Sequence, residues 1–457
     1  MASNPYLEDN YAPVGHETTA VDLPVLGELP AELDGLYLRN GPDPIPPVDP
    51  STHHWFLGDG MVHGVRLRGG RAEWYRSRWV GSRRLARQRG EDDVPGPNWN
   101  GSPTGPNTNA IGFAGRLWAI VEAGGCPVEL DRDLETVGRN DFFGTLPGAF
   151  TAHPKLDPAT GELHAVVYAW AEWLDHVQYV VVGRDGRVRR TVDVPTKGMT
   201  MLHDMSLTKR FAVVYDQPVT VDFELAMAGR FPFRWNPDYG NRLGLLPREG
   251  DASAITWVDA PIGYCFHPLN SFDRDDGSVV IDLCVYSTMF AADLRGALGD
   301  GLARLERWVV DPVARTLRST VVDERPNEFP RVRESLVAAP HRYGYCANPS
   351  TEPGAGWPTI KHDLDRGSRE AFDHGPHRAA GEPVFIPREG GRAEDDGWLV
   401  TFVHDLAAGK TELVLLDAAD LGRGYVARVM LPERVPFGFH GNWVADRELA
   451  PLCSARS

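Results

Sequence analysis

Short runs of β-branched and aromatic residues, in which apolar and polar positions alternate, recur along most of the chain. They are separated by Asp-Gly, Asp-Pro or glycine-rich steps, which are typical of hairpins and tight turns. Examples of these strand-like runs are residues 162–170, 177–194, 210–223, 278–287, 397–405 and 411–418. The segment VVVGRDGRVRRTV at 180–192 has two apolar arms around Arg-Asp-Gly and predicts a β-hairpin.

Helical periodicity is sparse, and the best short candidates for helices are residues 288–301 and 333–341. Because strands do not alternate with helices, the pattern favours an all-β fold, either a β-propeller or tandem sandwiches. No crisp repeat recurs that would decide between these two folds. Glycine and proline are spread through the chain without a linker or a low-complexity block, so we expect one domain over residues 1–457.

The net charge of the chain limits the classes of molecule that it is expected to bind. The chain has 457 residues and a formal net charge of −16. This acidic balance argues against a nucleic-acid partner, because phosphate binding needs a concentrated basic surface. One basic run, residues 76–90, is interpreted as a solvated loop or a surface helix, with contact to an anionic membrane as the alternative.

The cysteines and the N-terminal sequence indicate in which cellular compartment the protein is expected. The five cysteines are scattered and form no CxxC pair, which predicts reduced thiols in a cytosolic protein. They are Cys126, Cys265, Cys284, Cys346 and Cys453. The first residues show no signal peptide, and no run approaches the roughly eighteen apolar residues of a membrane span. We expect a cytoplasmic protein, at most peripheral at a membrane surface, and the sequence does not indicate its oligomeric state.

Four histidines lie beside turn residues at the ends of apolar, strand-like runs: His153, His203, His267 and His440. Their wide separation excludes a zinc finger or an HExxH site, whose ligands are local. A single histidine in such a setting is typical of a core residue with satisfied ring nitrogens. Together the four would fit separate sheets that each send one residue to a shared axis, although spacing alone does not establish convergence. Five other histidines stand in polar, loop-like stretches and are predicted to be exposed: His53, His54, His362, His374 and His377.

Four converging imidazoles would suit iron, copper or zinc. Because neutral imidazoles do not offset the charge of a divalent ion, carboxylates that accept the other ring N–H would have to balance it. Glu122, Glu328 and Glu382 stand in apolar or strand-like settings and are candidates for this role. The alternative for each is an ordinary exposed glutamate at the edge of a loop.

Other motifs give weaker evidence of a chemical function. The chain contains no GxSxG elbow, no Walker A motif and no GxGxxG between a strand and a helix. The acidic segment GGRAEDDGW at 390–398 is interpreted as a turn, with a Ca²⁺ site as the alternative. The segment at 54–67, which holds Asp59 and His63, is interpreted as a structural turn that leads into a strand.

An ordered series of segments along nearly the whole chain resembles the carotenoid cleavage oxygenases, of the bacterial apocarotenoid- or stilbene-cleaving type. The series begins with LYLRNGPDP at 36–44 and ends with VPFGFHGNWV at 435–444. Between them lie residues 54–67, 107–131, 151–163, 201–219, 265–273, 327–332, 382–388 and 394–400.

The resemblance implies a seven-bladed β-propeller with a helical or loop cap over the active-site face. It places Fe²⁺ on the propeller axis, with His153, His203, His267 and His440 as ligands. It assigns Glu122, Glu328 and Glu382 to the shell around these ligands, and it places Thr108 near the open side of the iron as a catalytic residue.

The activity that the resemblance implies is oxidative cleavage of a conjugated C=C bond with O₂, which yields two carbonyl products, commonly aldehydes. A long polyene needs an aromatic-lined tunnel, and Phe266 and Phe439, each directly before a ligand histidine, are candidates to line it, with core packing as the alternative. Stilbene-cleaving relatives carry a lysine where this chain has Val121, so we favour a carotenoid or apocarotenoid substrate. Stilbene cleavage, a metal hydrolase, a non-enzymatic propeller scaffold and an isomerase remain as alternatives.

Overall fold

The strand-like runs of the sequence form antiparallel sheets, and the chain folds as a seven-bladed β-propeller. The computed structural model describes residues 4–97, 99, 104–169, 172–297 and 299–449. Within these residues there are seven sheets of four or more strands and one two-stranded ribbon. The prediction of a propeller is therefore confirmed over tandem sandwiches, while the single domain over 1–457 remains a prediction.

The first part of the chain supplies strands to two blades and then forms a third blade. Its elements are β1 (Thr18–Val21), β2 (Val25–Gly27), β3 (Gly35–Pro42), β4 (Gly60–Arg68), β5 (Arg71–Trp79), helix α1 (Arg83–Arg89), β6 (Asn109–Phe113), β7 (Arg116–Ile120), β8 (Val128–Leu130) and β9 (Thr136–Arg139). Strands β6 to β9 form one four-stranded blade in sequence order.

Two further blades and the ribbon follow. Their elements are β10 (Lys155–Leu156), β11 (Leu163–Val167), β12 (His176–Val182), β13 (Val188–Pro195), β14 (Ser206–Leu207), β15 (Phe211–Asp216), β16 (Val219–Val221), helix α2 (Phe223–Met227), β17 (Phe233–Trp235), β18 (Arg242–Pro247) and β19 (Thr256–Asp259). Strands β10 to β13 form one blade, and β14, β15, β18 and β19 form the next. Strands β16 and β17 pair with each other and, with α2 between them, make an excursion from that blade.

The last part of the chain completes the ring. Its strands are β20 (Pro268–Asp273), β21 (Val279–Val285), β22 (Arg304–Asp311), β23 (Thr316–Pro326), β24 (Glu328–Arg331), β25 (Tyr343–Ala347), β26 (Thr359–Asp363), β27 (Ser368–Phe372), β28 (Arg378–Ala380), β29 (Val384–Pro387), β30 (Gly397–Asp405), β31 (Lys410–Asp417), β32 (Tyr425–Met430) and β33 (Gly441–Ala445). Short 3-10 turns lie at Pro5–Leu7, Asp9–Tyr11, Pro237–Tyr239, Ala252–Ala254, Glu334–Leu336, Leu421–Arg423 and Asp446–Glu448.

Strands from both ends of the chain close the ring. The last strand, β33, pairs with β3 in the register Gly35↔Ala445 to Arg39↔Gly441, in a blade that also contains β1, β4 and β5. The neighbouring blade takes β2 from the beginning of the chain beside β32. The inner edges of the blades meet at the axis, since β33 contacts β6 and β29, and β20 contacts β14 and β24.

Apolar side chains from facing sheets pack between the blades. Between the blades of β15 and β21, for example, Val213 and Leu245 pack with Ile281, Leu283 and Trp308, all of them fully or almost fully buried. Because both faces of an inner strand meet a neighbouring blade, strands such as β15 and β21 are buried on both sides, whereas outer strands such as β13 and β23 are partly exposed.

Several local predictions are confirmed. The hairpin at 180–192 is formed by β12 and β13, with the Gly183 N–H donating to the Arg187 carbonyl at 2.8 Å. The basic run contains the surface helix α1, capped by the Ser82 hydroxyl and ended by Gly90 in the left-handed region. The structure also agrees with a strand, β4, after the turn at Asp59.

The acids of the segment 390–398 are each used in a structural contact, as expected for a turn. Glu394 accepts the backbone N–H groups of Arg342 and Tyr343. Asp395 pairs with Lys361, and Asp396 pairs with Arg388.

The predicted helix at 288–301 is wrong for the residues of this segment that the structure describes, which form bends and turns. Phe290 adopts a φ of 57°, and the Asp300 carboxylate accepts the N–H groups of Ala291 and Ala292, which takes them out of any helical ladder. At 333–341 only the 3-10 turn Glu334–Leu336 forms. The expected cap is therefore made of loops, such as the one that carries Phe231, which packs against Phe56.

The prediction of exposure is also wrong for four of the five histidines that stand in polar stretches of the sequence. His53, His54, His362 and His374 are buried, and only His377 is exposed. The polar residues around each histidine in the sequence mislead, because the partners come from distant parts of the chain. The His362 Nε2 contacts the Asn327 Oδ1 at 2.8 Å, and the His374 Nδ1 contacts the Tyr425 hydroxyl at 2.9 Å.

Cys126, Cys265, Cys284 and Cys346 are buried and form no disulfide, in agreement with the reduced state expected for them. Cys453 lies outside the described residues. In the described ranges, no helix has the length and apolar character needed to cross a membrane.

The packing between blades generates a prediction for stability. Replacing Leu283→Ala leaves a cavity between two sheets and is expected to lower the free energy of unfolding by about 2 to 5 kcal/mol. Val313→Ala, a control in the same blade at a side chain that is 92% exposed, is expected to change it by less than about 0.5 kcal/mol. Denaturant unfolding followed by tryptophan fluorescence measures both, and equal midpoints for the two variants would contradict this packing.

Candidate metal centre

Each of the four strand-end histidines lies just before the innermost strand of a blade. His153 precedes β10, His203 precedes β14, His267 precedes β20 and His440 precedes β33. A proline follows His153 and His267, which favours an extended backbone at the histidine. Before His440, the backbone at Gly438 packs so closely on Gly41 that a Cβ on Gly41 would lie 2.7 Å from the Gly438 Cα, so only glycine fits there.

The structure brings these four imidazoles together on the propeller axis. One nitrogen from each ring lies within 4.8 Å of the corresponding nitrogen of every other ring. The His203 Nε2 and the His267 Nε2 are 3.2 Å apart. All four residues are buried.

Three glutamates hold the outer side of three of the rings. Glu122 Oε2 lies 2.9 Å from the His203 Nδ1, Glu328 Oε2 lies 2.6 Å from the His267 Nδ1, and Glu382 Oε1 lies 3.1 Å from the His440 Nδ1. Because a carboxylate accepts the Nδ1–H, each Nε2 keeps its lone pair and faces the centre of the cluster. All three predicted glutamates therefore contact predicted ligand histidines.

The glutamates are themselves held by further donors that sequence reasoning missed. The Tyr168 hydroxyl donates to Glu122 at 3.0 Å, and the Tyr286 hydroxyl donates to Glu328 at 3.0 Å. Glu382 accepts the Gly441 N–H at 2.7 Å and pairs with Arg331 at 3.3 Å. No local motif marks Tyr168, Tyr286 or Arg331, because each is distant in sequence from the glutamate that it contacts.

The charges of the site favour anionic carboxylates around imidazoles. Burial disfavours the charged form of Glu382, but Arg331 and His440 outweigh it and lower its pKa to about 2. Burial lowers the pKa of His267, yet the contact with Glu328 raises it above the usual value. Burial and the three other imidazoles hold the pKa of His153 well below its usual value, so this ring is neutral.

The donor set fits a divalent transition metal. The His153 Nε2 is buried and has no hydrogen-bond partner, which is costly for a polar atom unless it binds something else. Imidazole nitrogens suit iron, copper, zinc and nickel, and the glutamates supply the negative charge that neutral ligands lack. The four histidines could therefore hold such an ion.

An apolar cavity opens on one side of the histidine cluster. With its mouth included it holds about 720 Å³ of empty space. Predicted lining residues Phe266 and Phe439 are both in its wall, as is Thr108, whose hydroxyl donates to the Asn107 Oδ1 at 2.9 Å. Aromatic lining residues that sequence reasoning missed are Trp55, Phe56, Tyr286, Phe329 and Trp357.

The aromatic residues around this cavity support one another. Phe56 packs against Phe266 and Phe439 with ring centroids 5.8 and 5.5 Å apart, and Phe266 packs edge-on against His203 at 4.8 Å. Such contacts fix the cavity wall beside the cluster. Among the described lining residues there is no lysine or arginine, and Val121 is part of the wall.

A second, more polar cavity lies on the other side of the cluster along the axis, and we call it the axial cavity. It is lined by His153, Lys155, Asp204, Arg331 and Glu382, with other residues of the inner strands. His267 and His440 border both cavities. The cluster thus separates an apolar space from a polar one.

Comparisons with known proteins agree with this architecture. The sequence model of the family described as RPE65, retinal pigment epithelial membrane protein, matches residues 11–445. The carotenoid cleavage oxygenase of Mycobacterium tuberculosis is 43% identical, over 97% of this chain and 98% of its own length. The carotenoid 9,10(9′,10′)-cleavage dioxygenase of Crocus sativus is 33% identical, over 97% of this chain and 90% of its own length.

Solved structures give the same result. The lignostilbene dioxygenase of Pseudomonas brassicacearum superposes with a TM-score of 0.87 at 29% identity, over 97% of this chain and all of that chain. An apocarotenoid oxygenase of Synechocystis superposes with a TM-score of 0.83 at 27% identity, over 95% of this chain and 98% of that chain. The resemblance stated from the sequence is confirmed, and with it the oxidoreductase class: the chain belongs to the RPE65/carotenoid cleavage oxygenase family and is an oxygenase of the β-propeller type.

Proposed function

We propose that the protein is a non-haem Fe²⁺ dioxygenase that cleaves a conjugated C=C bond of a carotenoid or apocarotenoid. The main evidence for this proposal is the cluster of four buried histidines at an apolar cavity, with carboxylates that orient three of the rings. One O₂ and one alkene give two carbonyl products, so both oxygen atoms enter the products and no further reductant is needed. The names of the relatives from Mycobacterium and Crocus support carotenoid cleavage.

In this proposal His153, His203, His267 and His440 are the ligands of the iron, which would supply the electrons that activate O₂. The chain supplies orientation and exclusion of water. Glu122, Glu328 and Glu382 hold the Nδ1–H of three ligands, so these rings keep their orientation.

The cavity residues have a different role in the proposal. Phe266 and Phe439 would hold the polyene next to the cluster and keep water away from it. Thr108 is proposed to restrict the space on the open side. Its backbone carbonyl accepts the His440 N–H at 3.2 Å and its hydroxyl bonds to Asn107, so its position is fixed relative to a ligand.

Cleavage of a stilbene is the second candidate, favoured by the likeness to a lignostilbene dioxygenase. A phenolic substrate would gain from a cationic or hydrogen-bonding partner in the cavity, and Val121 offers none. A hydrolase is disfavoured because it needs a free carboxylate as general base. The three glutamates near the cluster are instead committed to histidine rings.

We further propose contact with a lipid surface, from which a polyene would enter. On α2, Phe223 is 62% exposed and Met227 is 88% exposed, one helical turn apart on the same side. The same excursion continues to Phe231, which stacks on His54 at 3.8 Å and packs against Phe56 of the cavity wall. The exposed apolar residues are therefore connected to the cavity by one segment.

The first test concerns the metal. Glu328→Gln keeps the shape of the side chain but removes the charge that the His267 Nδ1–H contacts, so we expect Fe²⁺ or Co²⁺ to bind about 10- to 100-fold more weakly. Competition with a chromophoric chelator measures the affinity. Glu306→Gln is the matched control, because Glu306 is equally buried but contacts Trp308, Ser319 and Arg304 instead of a histidine. Equal affinities in the two variants would refute the role of Glu328.

The second test concerns the reaction. Fe²⁺-loaded enzyme is given an apocarotenal and resveratrol in parallel under ¹⁸O₂, and the products are identified by mass spectrometry. We expect two aldehydes from the apocarotenal, each with ¹⁸O, and loss of activity after chelation that Fe²⁺ restores and Zn²⁺ does not. Cleavage of resveratrol alone would overturn the carotenoid assignment, and turnover with Zn²⁺ would overturn the oxygenase chemistry.

The third test concerns the lipid surface. Phe223→Ser combined with Met227→Ser is expected to reduce binding to phosphatidylcholine vesicles at least threefold in a flotation assay, because it removes exposed apolar area. Neutral vesicles are chosen because the chain carries a net charge of −16. Val313→Ser, at a residue that is 92% exposed on another blade, should bind like the wild type. Unchanged binding of the double variant would exclude α2 as the contact.

A further inference from the structure

The four imidazoles of the cluster are not equivalent. Glu122, Glu328 and Glu382 each contact one ring, and these rings belong to His203, His267 and His440. None of the three glutamates contacts His153. Its Nδ1 instead faces the Asp204 Oδ2, at a distance of 3.7 Å.

Asp204 is a buried carboxylate with a fixed position. Only 4% of the residue is exposed. Its Oδ1 accepts the Met205 N–H at 2.5 Å, and its Oδ2 accepts a hydrogen bond from the Lys155 Nζ at 2.8 Å. The hydrogen bond from the Met205 N–H fixes the Asp204 carboxylate against the backbone of its own segment. The orientation of Asp204 towards His153 therefore does not depend on a hydrogen bond to the His153 ring.

Sequence position links Asp204 to the cluster a second time. Asp204 directly follows His203 in the sequence. One short segment before β14 therefore carries both a candidate ligand, His203, and the carboxylate that faces His153. The segment at the beginning of β10 likewise carries two residues that face Asp204, namely His153 and Lys155. The two inner strands are thereby connected through a carboxylate that lies between a ring and a cation.

We propose that Asp204 is the positioning residue of His153, so that all four histidines of the metal centre have a carboxylate at Nδ1. This inference rests on the proposed function only in requiring that the cluster binds a metal. Donation from Nδ1 to Oδ2 requires the two atoms to approach from 3.7 Å to about 3 Å, a shift that a ring drawn to a metal by its Nε2 can make. The His153 Nε2 is buried without a hydrogen-bond partner, so binding to a metal would favour this shift of the ring.

Lys155 weakens this fourth carboxylate as an acceptor compared with Glu122 and Glu328, whose ion pairs among the described residues are with histidines alone. Its ammonium group shares Oδ2 with His153 and neutralises the charge of Asp204, and its side chain is 24% exposed in the axial cavity. His153 therefore has weaker anionic support than His203 and His267. Removing the lysine leaves the carboxylate free to accept from the ring and adds one net negative charge near the metal.

The experiment measures the affinity of the chelator-stripped full chain for Co²⁺, together with the visible absorption of the Co²⁺ form. Asp204→Asn keeps the volume of the side chain and an oxygen for the Met205 N–H, but removes the charged acceptor. We expect at least tenfold weaker Co²⁺ binding and a changed absorption band. Lys155→Gln is expected to bind Co²⁺ several-fold more tightly than the wild type.

Asp216→Asn is the matched control, because Asp216 is a buried carboxylate of the same blade that pairs with Arg242 and Tyr239 and not with a histidine. It should bind Co²⁺ like the wild type. Circular dichroism and the melting temperature of the metal-free variants separate a loss of fold from a loss of affinity. Wild-type affinity in a folded Asp204→Asn variant would overturn the inference, as would weakened binding in Lys155→Gln. A wild-type chain that binds no Co²⁺ would instead refute the metal centre itself.

Discussion

The hydrogen bond between a buried carboxylate and the Nδ1–H of an imidazole is the interaction on which the site depends. It fixes the tautomer, turns the Nε2 towards the axis and brings negative charge close to a point where a cation would sit. A buried glutamate without a partner would cost several kcal/mol, and each of Glu122, Glu328 and Glu382 has both a ring and a second donor. The same bonds therefore satisfy the interior and prepare the ligands.

The propeller provides the geometry that these bonds need. Four of the seven blades bring a histidine to the axis at the beginning of their inner strand, so each of these four contributes one residue to the cluster. The packed faces between the blades, such as that around Leu283 and Leu245, keep the sheets in register with one another. The site is thus rigid because it is built on strand ends and not on long loops, while the loops on one side form the apolar wall.

The ligand histidines and the three glutamates could be proposed from the sequence because their neighbours recur in the order that the resemblance supplies. Local pattern also located the strands and the hairpin at 180–192. The same reasoning failed at 288–301, where the tertiary contacts of Phe290 and Asp300 override helical periodicity. It failed again at His362 and His374, whose partners come from distant parts of the chain. Tyr168, Tyr286, Arg331 and Asp204 were missed for that reason, since long-range pairing leaves no signal at the residue itself.

The pairing of β33 with β3 has a consequence for how the protein matures. His440 stands directly before β33, and β33 is held by a strand made more than four hundred residues earlier. During synthesis the first three histidines of the cluster leave the ribosome well before His440, which reaches the axis only when the ring has closed. A cation would therefore not meet all four histidines before the ring has closed, so full occupation of the site would report that closure has taken place.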